Sequence, residues 1–133
     1  MRKILFRGKR LDGEWIEGAL LTLNGRVYIN NCPETHATLS ITTCVIRGFV
    51  EVIPETVGQY TGLTDKNGKE IFEGDICKSI YGISRVIWSD GRSAFMMRFC
   101  DYPHEIIGFE EIQDSIEIIG NIHDTPELLE AEG

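Results

Sequence analysis

Residues 57–76, with the sequence VGQYTGLTDKNGKEIFEGDI, combine turn-forming residues, aromatic side chains and charge. The stretch contains four glycines, at positions 58, 62, 68 and 74. Glycine adopts backbone conformations that other residues avoid, so this spacing predicts repeated tight turns. The stretch leads into the most strand-like part of the chain. It therefore predicts a turned connection that delivers the backbone into a sheet.

Short β-strands between turn signals dominate the rest of the sequence, which predicts a mainly β protein. The predicted strands cover residues 3–6, 14–23, 26–30, 41–53, 74–80, 85–88, 94–99 and 115–119. Asn24-Gly25 predicts a two-residue type I′ hairpin, because both positions favour positive φ. Pro54 and Gly58 predict a break in the chain. Thr125 is predicted to cap a short C-terminal helix.

These elements predict one domain over residues 1–133. Residues 1–53 are predicted to be strand-rich and irregular, and residues 54–76 form a glycine-rich connecting segment. Residues 70–122 are predicted to form a compact five-stranded barrel, and residues 125–132 a terminal helix.

Composition is that of a soluble globular protein of 133 residues and net charge −8. No apolar run approaches the roughly 18 residues of a membrane span, and no apolar segment of a secretory signal follows the basic N-terminus. We therefore expect a cytoplasmic protein with no membrane partner. After Arg98 the sequence contains ten acidic residues and no Lys or Arg. Residues 1–98 carry 13 basic and 11 acidic side chains.

Nothing in the sequence predicts a catalytic residue, a cofactor or a metal ligand. The cysteines have no C-x-x-C spacing and are predicted to be reduced, buried thiols; they are Cys32, Cys44, Cys77 and Cys100. The histidines lack metal-ligand spacing and are predicted to be structural or exposed; they are His36, His104 and His123. Weak enzyme signals remain in Cys100 with His104, Glu73 with Asp75, and Glu110 with Glu111.

The central segment is the better functional candidate. Its candidate interaction or structural residues are Gln59, Tyr60, Thr61, Gly62, Asp65, Asn67, Gly68, Glu73, Gly74 and Asp75. Asp65, Asn67 and Lys69 are predicted to tie the loop to itself by hydrogen bonds from side chain to backbone. An aromatic residue on such a loop either packs the loop down or anchors a partner. We favour packing over anchoring for Tyr60.

Three stretches of the chain resemble the YopX family of phage and prophage proteins. The longest is GQYTGL at residues 58–63 followed by DKNGKEIFEGDI at residues 65–76. The closing IIGNI at residues 118–122 with PELL at residues 126–129, and the opening ILFR at residues 4–7, are similar to the family's ends.

The resemblance implies a mostly β fold with an SH3-like barrel, and oligomer formation. It supplies no catalytic residues. It implies that Gly62, Gly68 and Gly74 are turn glycines, and that Asp75 accepts hydrogen bonds from backbone donors where the loop enters a strand.

Three functions stay open at this point. We favour a non-enzymatic phage or prophage accessory protein that binds a phage or host protein, or assembles with itself as a homo-oligomer. The second is a nucleic-acid-binding module that uses the basic N-terminal strip, although the net charge disfavours contact with phosphate. The third is a small nuclease that uses Glu73, Asp75 and His104.

Overall fold

The computed structural model describes residues 3–30, 49–99, 106–107 and 113–130. It confirms the predicted mainly β class and the short helix near the C-terminus. The elements are β1 (Phe6–Arg10), β2 (Trp15–Leu23), β3 (Arg26–Asn30), β4 (Phe49–Thr64), β5 (Glu70–Phe72), β6 (Asp75–Ser79), β7 (Gly82–Ser89), β8 (Ala94–Phe99), β9 (Ile106–Ile107), β10 (Glu117–Asn121) and α1 (Glu127–Glu130). A single turn of 3₁₀ helix, Gln113–Ser115, precedes β10.

The chain divides into an N-terminal unit, Met1–Gln59, and a C-terminal unit, Tyr60–Gly133. In the N-terminal unit the pairings β1–β2, β2–β3, β3–β4 and β4–β1 run in a closed cycle, all antiparallel. Ile29 and Val52 are fully buried. A Cβ added to Gly8 would lie 3.0 Å from Ile29 Cδ1 and 3.1 Å from Val52 Cβ, so this position on β1 admits only glycine without repacking.

The Asn24-Gly25 hairpin is confirmed, with φ of 52° and 78° at its two residues. Asn30 ends β3 as predicted. The predicted loop over residues 31–40 lies outside the described residues, as does the predicted strand up to residue 48.

The predicted break at Pro54 and Gly58 is wrong, because β4 continues through both residues to Thr64. Lys9 pairs with Ile53 and Arg7 pairs with Gly58, so residues 54–57 of β4 lie opposite Gly8 alone. Thr56 closes this bulge: its hydroxyl donates to Ile53 O (2.6 Å) and accepts from Lys9 N–H (2.8 Å). Proline is tolerated at a bulge, where its missing N–H is not needed for a ladder.

In the C-terminal unit, β6 to β10 form a five-stranded sheet in the order β10-β6-β7-β8-β9. Its core contains Ile71, Cys77, Val86, Met97, Phe99 and Ile116. β8 has the predicted bounds, and Met97 and Phe99 share its buried face, with Phe95 partly buried against the same core. Within the described residues β9 and β10 do not pair, and the SH3-like barrel stays a prediction.

Smaller corrections concern the ends of elements. β1 begins at Phe6, where the predicted strand ended, and β10 begins at Glu117 rather than at residue 115. Thr125 does not cap α1 with its hydroxyl, which instead donates to Asn121 O (3.2 Å) and accepts from Asn121 N–H (3.2 Å). Cys77 is buried, as predicted, and the other three cysteines lie outside the described residues.

Candidate functional site

Asp65 organises the turn that follows β4. Its Oδ1 accepts from the N–H groups of Asn67 and Lys69, both at 2.9 Å, and its Oδ2 accepts from Ile118 N–H at 3.1 Å. The last bond reaches β10, 53 residues further along the chain. Asp65 is 6% exposed, so one buried carboxylate holds a local turn and a distant strand together.

The charge of Asp65 is stabilised despite its burial. Burial alone would raise its pKa, because a low-dielectric environment disfavours the ionised form. Hydrogen bonds from the N–H groups of Ile118, Lys69 and Asn67, and the positive charge of Lys69, outweigh burial and lower the pKa below its usual 3.8. A carboxylate held this way is an acceptor of hydrogen bonds and is poorly suited to exchange protons near neutral pH.

Backbone bonds complete this turn. Asp65 N–H donates to Lys69 O (2.8 Å), and Gly68 N–H donates to Asp65 O (2.9 Å) with Gly68 at φ 82°. Lys66 N–H donates to Ile116 O (2.9 Å), which gives a second bond to the chain before β10. Positive φ explains the glycine at position 68, because other residues are strained there.

Thr61 and Tyr60 fix the end of β4. The Thr61 hydroxyl donates to Ile71 O (2.8 Å) and accepts from Leu63 N–H (3.2 Å), while Gly62 between them has φ 92°. The Tyr60 ring is buried at 8% exposure, with its centroid 5.6 Å from that of Phe72. In this position Tyr60 packs the segment down and does not present an exposed anchor.

Gly74 and Asp75 form the corner that enters β6. Asp75 is 1% exposed, and its Oδ2 accepts from Phe72 N–H (2.8 Å). Gly74 has φ 94°; its N–H donates to Val86 O (3.0 Å) and its carbonyl accepts from Ile122 N–H (2.9 Å). The corner is therefore bonded to β7 and to the residue that follows β10.

The side chains of the three other candidate residues, Gln59, Asn67 and Glu73, are not part of the hydrogen bonds and ring packing described above. Gln59 lies in β4 opposite Phe6, at the end of the N-terminal unit. The Asn67 side chain is exposed, and only its N–H is bonded to Asp65. Glu73 is half-buried in the turn before Gly74.

A second hydrogen-bonded turn, which was not predicted from the sequence as a site, lies at residues 120–125. Asn121 Oδ1 accepts from the N–H groups of His123 and Asp124, both at 2.9 Å. A Cβ added to Gly120 would overlap Thr125 Oγ1. The sequence signal was the pair of turn formers, Gly-Asn and Asp-Thr-Pro, that flank Ile122.

The basic N-terminal strip is partly occupied by contacts within its own unit. Arg7 Cζ lies 5.1 Å and Lys9 Nζ lies 5.8 Å from the Trp15 ring centroid, which are cation–π distances. Arg10 forms a 2.9 Å salt bridge with Asp12.

The remaining chemical candidates lie partly outside the described residues. Within the described ranges, no three His, Cys, Asp or Glu side chains are placed to hold a metal ion. Asp75 is bonded to backbone, and His123 lies in the turn after β10. His36, Cys100, His104, Glu110 and Glu111 lie outside the described residues. The helix of the described part is too short to cross a membrane.

The fold and this site define a small mainly β protein. Its glycine-rich motif, which runs from the end of β4 through β5 to the start of β6, is hydrogen-bonded to β10 and the residues beside it. The model of the YopX protein family matches residues 5–130, so the chain belongs to the YopX family. The crystal structure of protein EF1440 from Enterococcus faecalis is similar, with a TM-score of 0.53 and 24% identity over 97% of this chain and 99% of that one. This likeness concerns the fold. No curated protein matches the chain significantly.

Proposed function

We propose that the protein is a non-enzymatic accessory protein of a phage or prophage, and that it acts by binding a protein partner or a second copy of itself. Membership of the YopX family supports the phage or prophage setting. The chemistry of the central motif supports a role other than catalysis, since the carboxylates of Asp65 and Asp75 are buried acceptors of backbone hydrogen bonds.

The observation that carries protein binding is the apolar tip between β6 and β7. Ile80 exposes 72% and Tyr81 exposes 45% of its surface, at a turn where polar residues are usual. The Tyr81 ring packs edge-on against Phe99, with centroids 6.1 Å apart, so it is held in place before any partner arrives. A rigid aromatic beside an exposed aliphatic side chain is typical of an interface anchor, because little side-chain entropy is lost on binding.

Affinity capture of the tagged protein from its bacterial host tests this proposal. We expect a stoichiometric protein partner, or untagged copies of the chain, that is lost with Ile80→Ser. Leu11→Ser is the matched control, because Leu11 is similarly exposed (66%) in the turn after β1. Capture that survives Ile80→Ser would show that the tip is not the interface, and an eluate that contains only the bait would contradict protein binding altogether.

The nucleic-acid-binding alternative is supported by one arrangement, the two cations over the Trp15 ring, since single-stranded binders combine cations with aromatic side chains. A gel-shift titration with single-stranded and duplex oligonucleotides at increasing salt discriminates between the two. Binding that weakens with salt and is lost with Lys9→Gln would favour this alternative. Absence of a shift at low salt would remove it.

A further inference from the structure

Two Asn-Gly pairs lie in turns of the described structure, each with an exposed asparagine. Asn24-Gly25 joins β2 to β3, and Asn67-Gly68 lies between β4 and β5. Asparagine is chemically labile, above all before glycine, which has no side chain to hinder attack of its nitrogen on the asparagine amide carbon. Beyond the chain neighbours, a Cβ added to either glycine would meet no heavy atom within 4 Å. Any difference in reactivity must therefore come from the hydrogen bonds of the two turns.

The Asn67-Gly68 pair is held by Asp65. Gly68 N–H donates to Asp65 O (2.9 Å), so the nitrogen that would attack is already hydrogen-bonded. Asn67 N–H donates to Asp65 Oδ1 (2.9 Å), and the same carboxylate accepts from Ile118 N–H of β10. The lowered pKa of Asp65 keeps it ionised, and its negative charge disfavours loss of a proton from a nearby amide nitrogen. Attack at Asn67 therefore requires this turn to open.

The Asn24-Gly25 pair lies at the exposed end of the β2–β3 ladder. Leu23 pairs with Arg26 across the turn, and both residues are exposed. Gly25 N–H has no hydrogen-bond partner among the described residues. Asn24 has φ 52°, a conformation that residues with a side chain adopt at some cost. Because exposed ends of ladders fray, rotation of the Asn24 backbone can bring the Gly25 nitrogen to the amide carbon.

We infer that Asn24 is a site of spontaneous deamidation in the folded protein, and that the Asp65 turn protects Asn67. The Gly25 nitrogen loses its proton and bonds to Asn24 Cγ, the Cγ–Nδ2 bond breaks, and Nδ2 leaves as ammonia. Water then opens the resulting cyclic imide. Opening at Cγ gives aspartate, whereas opening at the main-chain carbonyl carbon gives isoaspartate. Overall, an amide and water give a carboxylic acid and ammonia, and nothing is oxidised or reduced.

The two products have different effects on the hairpin. Aspartate at position 24 suits the turn, since Asp-Gly also favours type I′. Isoaspartate adds a carbon to the main chain of a two-residue turn, so the pairing of Leu23 with Arg26 is expected to lose its register. Ageing of the protein is therefore expected to add negative charge and to disrupt the β2–β3 tip in part of the molecules.

Timed incubation of the full chain at mildly alkaline pH, with peptide mapping by mass spectrometry, tests this inference. The rate at each asparagine in the chain unfolded by guanidinium chloride is the reference for its rate in the folded chain. We expect folding to slow the reaction at Asn67 at least about tenfold more than at Asn24, since opening the Asp65 turn breaks hydrogen bonds to a charged group. Asp65→Asn is expected to raise the rate at Asn67 and to leave the rate at Asn24 unchanged.

The control for that variant is Asp114→Asn, which removes an exposed carboxylate from the same unit and is expected to change neither rate. Equal slowing at the two asparagines would overturn the inference, as would a folded chain in which Asn24 stays intact while the unfolded chain reacts. An unchanged rate at Asn67 in Asp65→Asn, or an equal rise in Asp114→Asn, would overturn the protective role of the Asp65 turn.

Discussion

Replacing Asp65 by asparagine removes one negative charge and little volume, and the geometry allows the cost to be estimated. The asparagine Oδ1 can keep the bonds from Asn67 N–H and Lys69 N–H, which are in an exposed turn. Its Nδ2 then faces Ile118 N–H, so two donors meet where a donor and an acceptor met before. A buried donor left without an acceptor costs about 1–3 kcal/mol. We expect Asp65→Asn to lower the free energy of unfolding by that amount.

The pH dependence of this loss follows from the lowered pKa of Asp65. Because the folded state binds the proton more weakly than the unfolded state, the carboxylate stabilises the fold fully above the unfolded pKa of about 3.8. That stability is lost as the pH falls through the lower folded pKa. The difference between wild type and Asp65→Asn is therefore expected to stay constant from neutral pH down to the unfolded pKa, and to narrow only below it.

Urea denaturation at a series of pH values, followed by the fluorescence of Trp88 in a Trp15→Phe background, measures this difference for the C-terminal unit. Asp114→Asn is the control, because Asp114 is an exposed carboxylate in the same unit and its loss is expected to change the free energy of unfolding by less than about 0.5 kcal/mol. Equal stability of wild type and Asp65→Asn at neutral pH would refute the reasoning. A difference that does not change in acid would refute the role of the charge.

Two further predictions concern positions within the C-terminal unit. Gly120→Ala is expected to lower the free energy of unfolding, measured by thermal melts, by about 1–3 kcal/mol, because the added Cβ overlaps the hydrogen-bonded Thr125 hydroxyl. Gly91→Ala is the control: the added carbon meets open space, so little change is expected in the same melts. Ser84→Ala is expected to raise the free energy of unfolding by about 1 kcal/mol in urea titrations, because the buried Ser84 Oγ has no hydrogen-bond partner among the described residues. A lower free energy of unfolding in the Ser84→Ala variant would show that the hydroxyl is hydrogen-bonded.

Local signals in the sequence predicted local structure well. Asn24-Gly25 forms its hairpin, since positive φ at two adjacent residues is decided within the turn itself. Residues 94–99 form β8 with the predicted bounds, although burial along the strand does not alternate strictly, since Met96 is buried next to Met97.

What the sequence did not reveal depends on partners far along the chain. Pro54 is a breaker in isolation, yet it lies inside β4 because Thr56 and Lys9 hold the bulge around it. Asp65 was predicted to serve its own turn, and that part of the geometry is local. Its bond to Ile118 depends on where β10 packs, which no local pattern contains.

The bonds from Asp65, Lys66 and Gly74 to residues 116–122 have a consequence for synthesis of the protein. Chains grow from the N-terminus at about 5–20 residues per second, so the motif is synthesised seconds before its hydrogen-bonding partners at residues 116–122. Until Ile116, Ile118 and Ile122 have been translated, the Asp65 carboxylate lacks its most distant donor and the Gly74 corner has a carbonyl without its partner. In a nascent chain that is stalled or truncated before residue 116, the motif would therefore lack these hydrogen bonds even if all the earlier strands had formed. Protease sensitivity of the motif should therefore fall only once residues 116–122 have left the ribosome and can pack against it.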